Sequence, residues 1–78
     1  MKVSKNLSQL KRGQSGIIES ISESGISLKL LEMGCVPGEE IKVENVAPLG
    51  DPIAVAVSGY KLSLRKDEAF FIHVLTDA

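Results

Sequence analysis

Short runs of alternating apolar and polar residues, separated by glycine, proline and small polar residues, dominate this 78-residue sequence. Alternation with a period of two is typical of β-strands, whose successive side chains point to opposite faces of a sheet. The pattern predicts five strands, at residues 15–21, 40–46, 52–57, 60–64 and 70–75. The first of these has apolar residues in both phases, so we expect it to be covered on both faces.

One segment departs from this period. Ile26, Leu30 and Met33 are spaced four and three residues apart, which predicts a short helix between the first and second strands. Gly34 follows the last periodic residue and is expected to end the helix in a left-handed conformation, while Pro37 prevents its continuation. The sequence therefore predicts one helix inserted after the first strand.

Five short strands do not leave a stable open sheet, because its free edges and apolar face would promote association. Closure into a small barrel removes both problems. We therefore predict a mainly β fold, a small five-stranded barrel with one short helix, in a single domain over residues 1–78. The helix either plugs one end of the barrel or lies over a face, and the periodicity does not choose between them.

The connections between the predicted strands carry specific turn residues. Pro37 and Gly38 suit the two central positions of a type II turn. Residues 47–52 contain two prolines and a glycine, which predicts a hairpin connection, and Leu49 stands at its tip. An apolar residue at a loop tip is harder to explain as core than the other leucines.

The composition excludes several functional classes. Nine Lys and Arg against ten Asp and Glu give a formal charge of −1, which lacks the basic excess of a general nucleic-acid binder. A single cysteine forms no intramolecular disulfide and fits a reducing compartment, so we expect a cytoplasmic protein. No apolar run approaches the ~20 residues that span a bilayer, so no direct membrane insertion is expected.

Catalytic and cofactor motifs are not apparent in the sequence. Neither of the common glycine-rich phosphate-binding motifs occurs, and one histidine without a nucleophile motif does not make a catalytic site, so we predict no enzyme and no cofactor. Cys35 and His73 are the only soft metal ligands, whereas a structural zinc site needs four ligands. They are weak metal candidates, unless a homodimer combines ligands from two chains.

One group of apolar residues suggests a protein-binding surface. Leu30 and Met33 on the helix, together with Leu49 at the loop tip, form a groove if the barrel brings helix and loop together. Methionine is an adaptable lining residue for such a groove. The alternative is that Leu30 and Met33 belong to the core.

Four stretches of the sequence recur together in one known family: LSQLKRG at 7–13, LEMGCVPG at 31–38, VAPLGDP at 46–52 and GYKLSLR at 59–65, followed by Glu68 and Ala69. Through them the sequence resembles the FeoA family of small proteins of bacterial ferrous iron transport. Their order and spacing extend the resemblance over nearly the whole chain. The turn and motif residues that we expect to be structural are Gly34, Pro37, Gly38, Pro48, Gly50, Asp51, Pro52, Gly59 and Arg65.

The resemblance implies an SH3-like barrel and a non-enzymatic role. The implied partner is FeoB, a membrane permease with a cytoplasmic GTP-binding domain, which would place the protein at the inner face of the membrane. The family often has a basic pair in the helix, where this chain has only Lys29, so we add Lys29 to the partner-binding candidates. The alternative function is a metal-responsive regulatory module, because the same barrel resembles the C-terminal domain of iron-dependent repressors.

Overall fold

The computed structural model describes residues 1–22 and 25–77. Within these residues the fold contains six strands and two short α-helices. In chain order the elements are β1 (Lys2–Asn6), a 3₁₀ turn (Leu7–Gln9), β2 (Ser15–Ile21), α1 (Ser27–Glu32), β3 (Glu40–Val46), β4 (Ile53–Val57), β5 (Tyr60–Leu64), α2 (Lys66–Ala69) and β6 (Ile72–Asp77).

All six strands belong to one antiparallel sheet in the order β1-β6-β2-β3-β4-β5. The mainly β prediction is confirmed, and each of the five predicted strands is present. The predicted count is one too low because β1 was missed. Its residues, Lys2–Asn6, include one apolar side chain, so the alternation that marks the other strands is absent. Among the described residues the ladder does not close between β5 and β1, so the two outer strands leave the barrel open along one side.

The core is a single apolar cluster to which nearly every element contributes. Along β3 and β4 the buried residues are the ones that the alternation predicted, Ile41 and Val43 on β3 and every second residue of β4. The complete cluster consists of Leu7, Leu10, Ile18, Leu30, Cys35, Ile41, Val43, Ile53, Val55, Val57, Leu64, Ala69, Ile72 and Val74. The strand predicted at 15–21 is present as β2, but the expectation that both of its faces are covered is wrong, because Ile17 is 39% exposed whereas Ile18 is buried.

The helix α1 ends as the sequence predicts. Gly34 has a φ of +100°, and its N–H donates to the Leu31 carbonyl at 3.1 Å. The N–H of Cys35 donates to the Leu30 carbonyl at 3.0 Å, which completes a Schellman motif. Leu30 and Cys35 are both fully buried, so the apolar contact that accompanies this motif anchors the helix to the core.

The chain then reverses at Pro37 and Gly38 to enter β3. Gly38 has a φ of +97°, and the N–H of Glu39 donates to the Val36 carbonyl at 3.0 Å. This is the geometry of the predicted type II turn. The N–H of Gly38 also donates to the Ile18 carbonyl at 2.8 Å, which ties the turn to β2.

Candidate functional site

The connection between β3 and β4, residues 47–52, is an ordered loop with an apolar tip. The N–H of Ala47 donates to the Pro52 carbonyl at 3.1 Å, and the N–H of Gly50 donates to the Ala47 carbonyl at 2.7 Å. Gly50 has a φ of +87°, which L side chains rarely adopt. Leu49 is nevertheless 96% exposed. The loop therefore holds a leucine in solvent on a hydrogen-bonded support.

A side-chain contact fixes the same loop to α2. The N–H of Lys66, at the start of α2, donates to Asp51 Oδ1 at 3.0 Å. An acceptor at this position satisfies one of the N–H groups that the first turn of a helix leaves without a partner. Asp51 thus couples the orientation of the loop to the helix that follows β5.

The helix α1 presents two leucines to solvent. Leu28 is 66% exposed and Leu31 is 40% exposed. Leu30, which the sequence analysis placed among partner-binding residues, is 0% exposed and belongs to the core, so it supports this surface without reaching a partner. Met33 is partly buried and packs against the core. The sequence reasoning missed Leu28, although its three-residue spacing from Leu31 marks a second apolar helix face.

Lys29 links the two helices. Its Nζ lies 3.0 Å from Glu68 Oε2, and the other carboxylate oxygen of Glu68 accepts the N–H of Arg65 at 2.8 Å. The Arg65 N–H and then the hydrogen bond from Lys29 lower the pKa of Glu68, whose side chain is only 12% exposed. Lys29 is thus an internal partner of a carboxylate, although its own side chain remains 62% exposed.

A cavity of about 650 Å³ lies beside this ion pair, between α1, β5 and α2. Its lining includes Ile26, Lys29, Arg65, Phe71 and Pro52, the last residue of the 47–52 loop. The loop therefore reaches the helix side of the molecule through Pro52, and Leu49 is not part of this lining. The lining is mixed, because apolar residues such as Phe71 stand beside charged residues of both signs.

Cys35 and His73, the weak metal candidates, have other roles in the structure. Cys35 is 0% exposed, and burial raises the pKa of its thiol, which opposes the thiolate form that a metal requires. A ring nitrogen of His73, Nε2, is hydrogen-bonded to the Ser22 hydroxyl. Within residues 1–22 and 25–77, no three His, Cys, Asp or Glu side chains are grouped so that they could hold a metal ion.

The predicted structural residues lie at turns and helix ends. All four glycines of this predicted set, at 34, 38, 50 and 59, have positive φ. Arg65 precedes α2 with an extended backbone, and its N–H is the group that Glu68 accepts. Its bond to Glu68 is therefore made through the main chain, and Arg65 also lines the cavity.

Comparison with known proteins identifies the family of this chain. The sequence model of the FeoA domain matches residues 5–75. The chain belongs to the FeoA family. A curated relative, the Fe(2+) transport protein A/Fe(2+) transporter FeoB fusion protein of Porphyromonas gingivalis, is 39% identical over 69 residues. The alignment covers 87% of this chain and 8% of the fusion protein.

Solved FeoA structures share the fold over nearly the whole chain. The NMR structure of a FeoA-like protein from Clostridium acetobutylicum is 39% identical, has a TM-score of 0.91, and is covered over 92% of its length by 100% of this chain. The FeoA of Stenotrophomonas maltophilia, a prokaryotic SH3 domain protein crystallised in complex with zinc, is 32% identical with a TM-score of 0.79. The alignment covers 91% of this chain and 88% of that protein. The SH3-like fold is thereby confirmed for this FeoA-family chain.

The likeness extends to metal-dependent repressors at the level of the fold. A manganese-dependent transcriptional repressor has a TM-score of 0.87 at 18% identity, over 99% of this chain and 44% of the repressor. At this identity the likeness concerns the fold and not the function.

The helices of the FeoA-family chain, within its described residues, are too short and too polar to cross a membrane.

Proposed function

We propose that this chain is a non-enzymatic accessory domain of ferrous iron uptake that binds the cytoplasmic GTP-binding part of a FeoB-type permease. Its family membership and the relative in which FeoA and FeoB form one polypeptide carry the proposal. A covalent link between two modules gives them a high effective concentration for each other, which favours a contact that separate chains make more weakly. The same contact is therefore proposed between this chain and a separate permease.

The proposed contact surface combines a rigid loop with an apolar helix face. Leu49 is nearly fully exposed on the hydrogen-bonded 47–52 loop, and Leu28 and Leu31 are exposed on α1. Exposed apolar side chains on an ordered support lose little conformational entropy when a partner covers them. Met33 and Lys29 remain partner-binding candidates at the border of this surface, where Met33 packs on the core and Lys29 holds Glu68.

A titration of this chain with the purified GTP-binding domain of a FeoB permease tests the proposal. Binding is measured by calorimetry with the domain in its nucleotide-free, GDP and non-hydrolysable GTP-analogue states, and again with the intact permease in detergent. Saturable one-to-one binding in at least one state supports the proposal. No binding in any state, with either form of the permease, overturns it.

A matched pair of variants tests whether α1 contributes to the contact. Leu28→Asp introduces a charge on the exposed helix face, whereas Ile17→Asp introduces the same charge on β2, where Ile17 is 39% exposed. We expect Leu28→Asp to weaken binding about tenfold, which is typical of an interface residue outside the central hot spot. Ile17→Asp is expected to bind like the wild type. Equal affinities of the two variants would remove α1 from the surface.

A further inference from the structure

The strand β5 ends the sheet, and within residues 1–22 and 25–77 no strand lies beside its outer edge. β5 pairs with β4 in the register Val57↔Tyr60, Val55↔Leu62 and Ile53↔Leu64, across a two-residue turn. In such a hairpin the residues next to the turn form a hydrogen-bonded pair, and every second residue after them does the same. Residues 61 and 63 therefore direct their N–H and C=O groups away from β4, where the described residues offer them no partner.

The side chains along this edge are unequally exposed. Tyr60 is 67% exposed, although it is cross-strand to Val57, which is 2% exposed. Leu62 is partly buried and packs against the core. Lysine on an edge strand commonly discourages association, and Lys61 is 84% exposed although its Nζ lies 3.6 Å from Glu44 Oε1 on β3. The edge is thus open, and the charge of Lys61 restricts the registers in which a second strand can pair with it.

Charge decides how two copies of such an edge can pair. An antiparallel pair centred on Lys61 places two ammonium groups opposite each other, and one centred on Ser63 places Lys61 opposite Arg65 of the second copy. Like charges directly opposite each other destabilise a sheet. In addition, the N–H of Arg65 is already bonded to Glu68. A pair centred on Leu62 places Lys61 opposite Ser63 of the second copy, and all the free N–H and C=O groups of both residues are then bonded.

We propose that two copies of this chain associate through β5 in the register centred on Leu62. The two Leu62 side chains then face each other in a non-hydrogen-bonded pair, where side chains are closest. Tyr60 of each copy lies beside the buried Leu64 of the other, which removes part of its apolar ring from water. The dimer joins two sheets into one, and it covers Ser63 and Leu64, which also line the cavity between α1, β5 and α2.

Two substitutions of Ser63 test the register. In the Leu62-centred dimer residue 63 faces Lys61 of the second copy, so Ser63→Glu creates two opposite-charge pairs and Ser63→Lys creates two like-charge pairs. The contact is small, so dimers form at high protein concentration. Sedimentation equilibrium up to about 1 mM protein should give a dissociation constant about fivefold lower for Ser63→Glu than for wild type, and about fivefold higher for Ser63→Lys.

The controls separate this dimer from other arrangements. Ser63 is exposed, and thermal unfolding of the monomer should be alike in wild type and both variants. Amide exchange of Lys61 and Ser63 should slow as the protein concentration rises, while the amides of β1, the other outer strand, keep their rates. A monomer at every concentration, equal weakening by both variants, or slowed exchange confined to β1 would each overturn the proposal.

Discussion

Two connections flank β4, and their exposed side chains differ. One is hydrogen-bonded within the molecule, and the other points into solvent. The turn to β5 consists of Ser58 and Gly59, and Ser58 has a positive φ of 52°. The Ser58 hydroxyl lies 2.9 Å from the Gly34 carbonyl and 3.1 Å from Glu39 Oε1. The polar side chain at this turn therefore binds other parts of the same molecule, and it ties the end of α1 to the hairpin.

The 47–52 loop on the other side of β4 is equally well held, but Leu49 at its tip is not among the described residues that pack against the core. Backbone hydrogen bonds close the loop, and Asp51 attaches it to α2. Leu49 is nevertheless 96% exposed. Scattered apolar residues on a surface are common, and the proposed function gives this one a role in contacting the permease. The comparison therefore sets a turn that is bonded within the molecule against a loop that we propose as a binding element.

The largest expected effect is on binding at the loop tip. Leu49→Asp should weaken binding to the permease domain about thirtyfold, because it places a charge at the centre of the proposed contact. The free energy of unfolding should change by less than about 0.5 kcal/mol, since the residue is exposed. Calorimetric titration and urea denaturation measure the two quantities. Leu49→Met is the control and should bind nearly as well as wild type, and unchanged affinity of Leu49→Asp would place the contact elsewhere.

The Ser58 turn should show the reverse behaviour. Ser58→Val removes the hydroxyl and places a β-branched residue at a positive φ, which should lower the free energy of unfolding by about 2 kcal/mol. Affinity for the permease domain should stay within about twofold of wild type once the protein is folded. Ser58→Asn is the control for the backbone, because asparagine tolerates this conformation. A large loss of affinity in folded Ser58→Val would contradict the division between the two connections.

At Asp51 we expect a smaller effect, on both the free energy of unfolding and the affinity for the permease domain. Asp51→Ala removes the acceptor for the Lys66 N–H, which should cost about 1 kcal/mol of unfolding free energy. Because the loop is then no longer attached to α2, binding should also weaken severalfold. Asp51→Asn retains an acceptor oxygen and should lose less of both. If Asp51→Ala lowers stability without any change in affinity, the attachment to α2 does not orient Leu49.

Much of the fold follows from local sequence. Alternation located β3, β4, β5 and most of β6, and Gly34 and Gly38 marked turns that only a positive φ allows. β1 could not be found in this way, because it is an outer strand whose ladder with β6 depends on backbone hydrogen bonds more than on an apolar face. The local sequence also does not show that β5 and β1 stay unpaired, because closure of the barrel depends on how strongly the whole sheet curls.

The candidate site was less predictable than the fold. Leu49 could be identified because proline and glycine around it exclude both helix and strand interior. On α1, however, apolar residues occupy two faces, and spacing alone does not say which one the core covers. The structure buries Leu30 and exposes Leu28. The ion pair of Lys29 with Glu68 joins residues far apart in sequence, so no local pattern indicates it.

The smallest expected effect concerns the ion pair of Lys29 with Glu68 on α2. It is a pH dependence of the free energy of unfolding. The folded state lowers the pKa of Glu68, so its contribution to stability is present above its unfolded pKa, about 4.3, and is lost as the pH falls through the folded value. Glu68→Gln should therefore be less stable than wild type by roughly 0.5 kcal/mol at pH 7, and the difference should vanish at acidic pH.

Chemical denaturation at a series of pH values from 7 down to 3 measures this difference. Asp77, whose pKa Lys2 lowers, titrates in the same acidic range in both proteins, so subtraction of the two curves isolates Glu68. Lys29→Gln is the matched variant, because it removes the ion pair and leaves the Arg65 N–H bond in place. It should reduce the pH dependence in part, since the Arg65 N–H is the larger cause of the lowered pKa. A stability difference that stays constant from pH 7 to 3 would mean that Glu68 acts through the shape of its side chain and not through its charge.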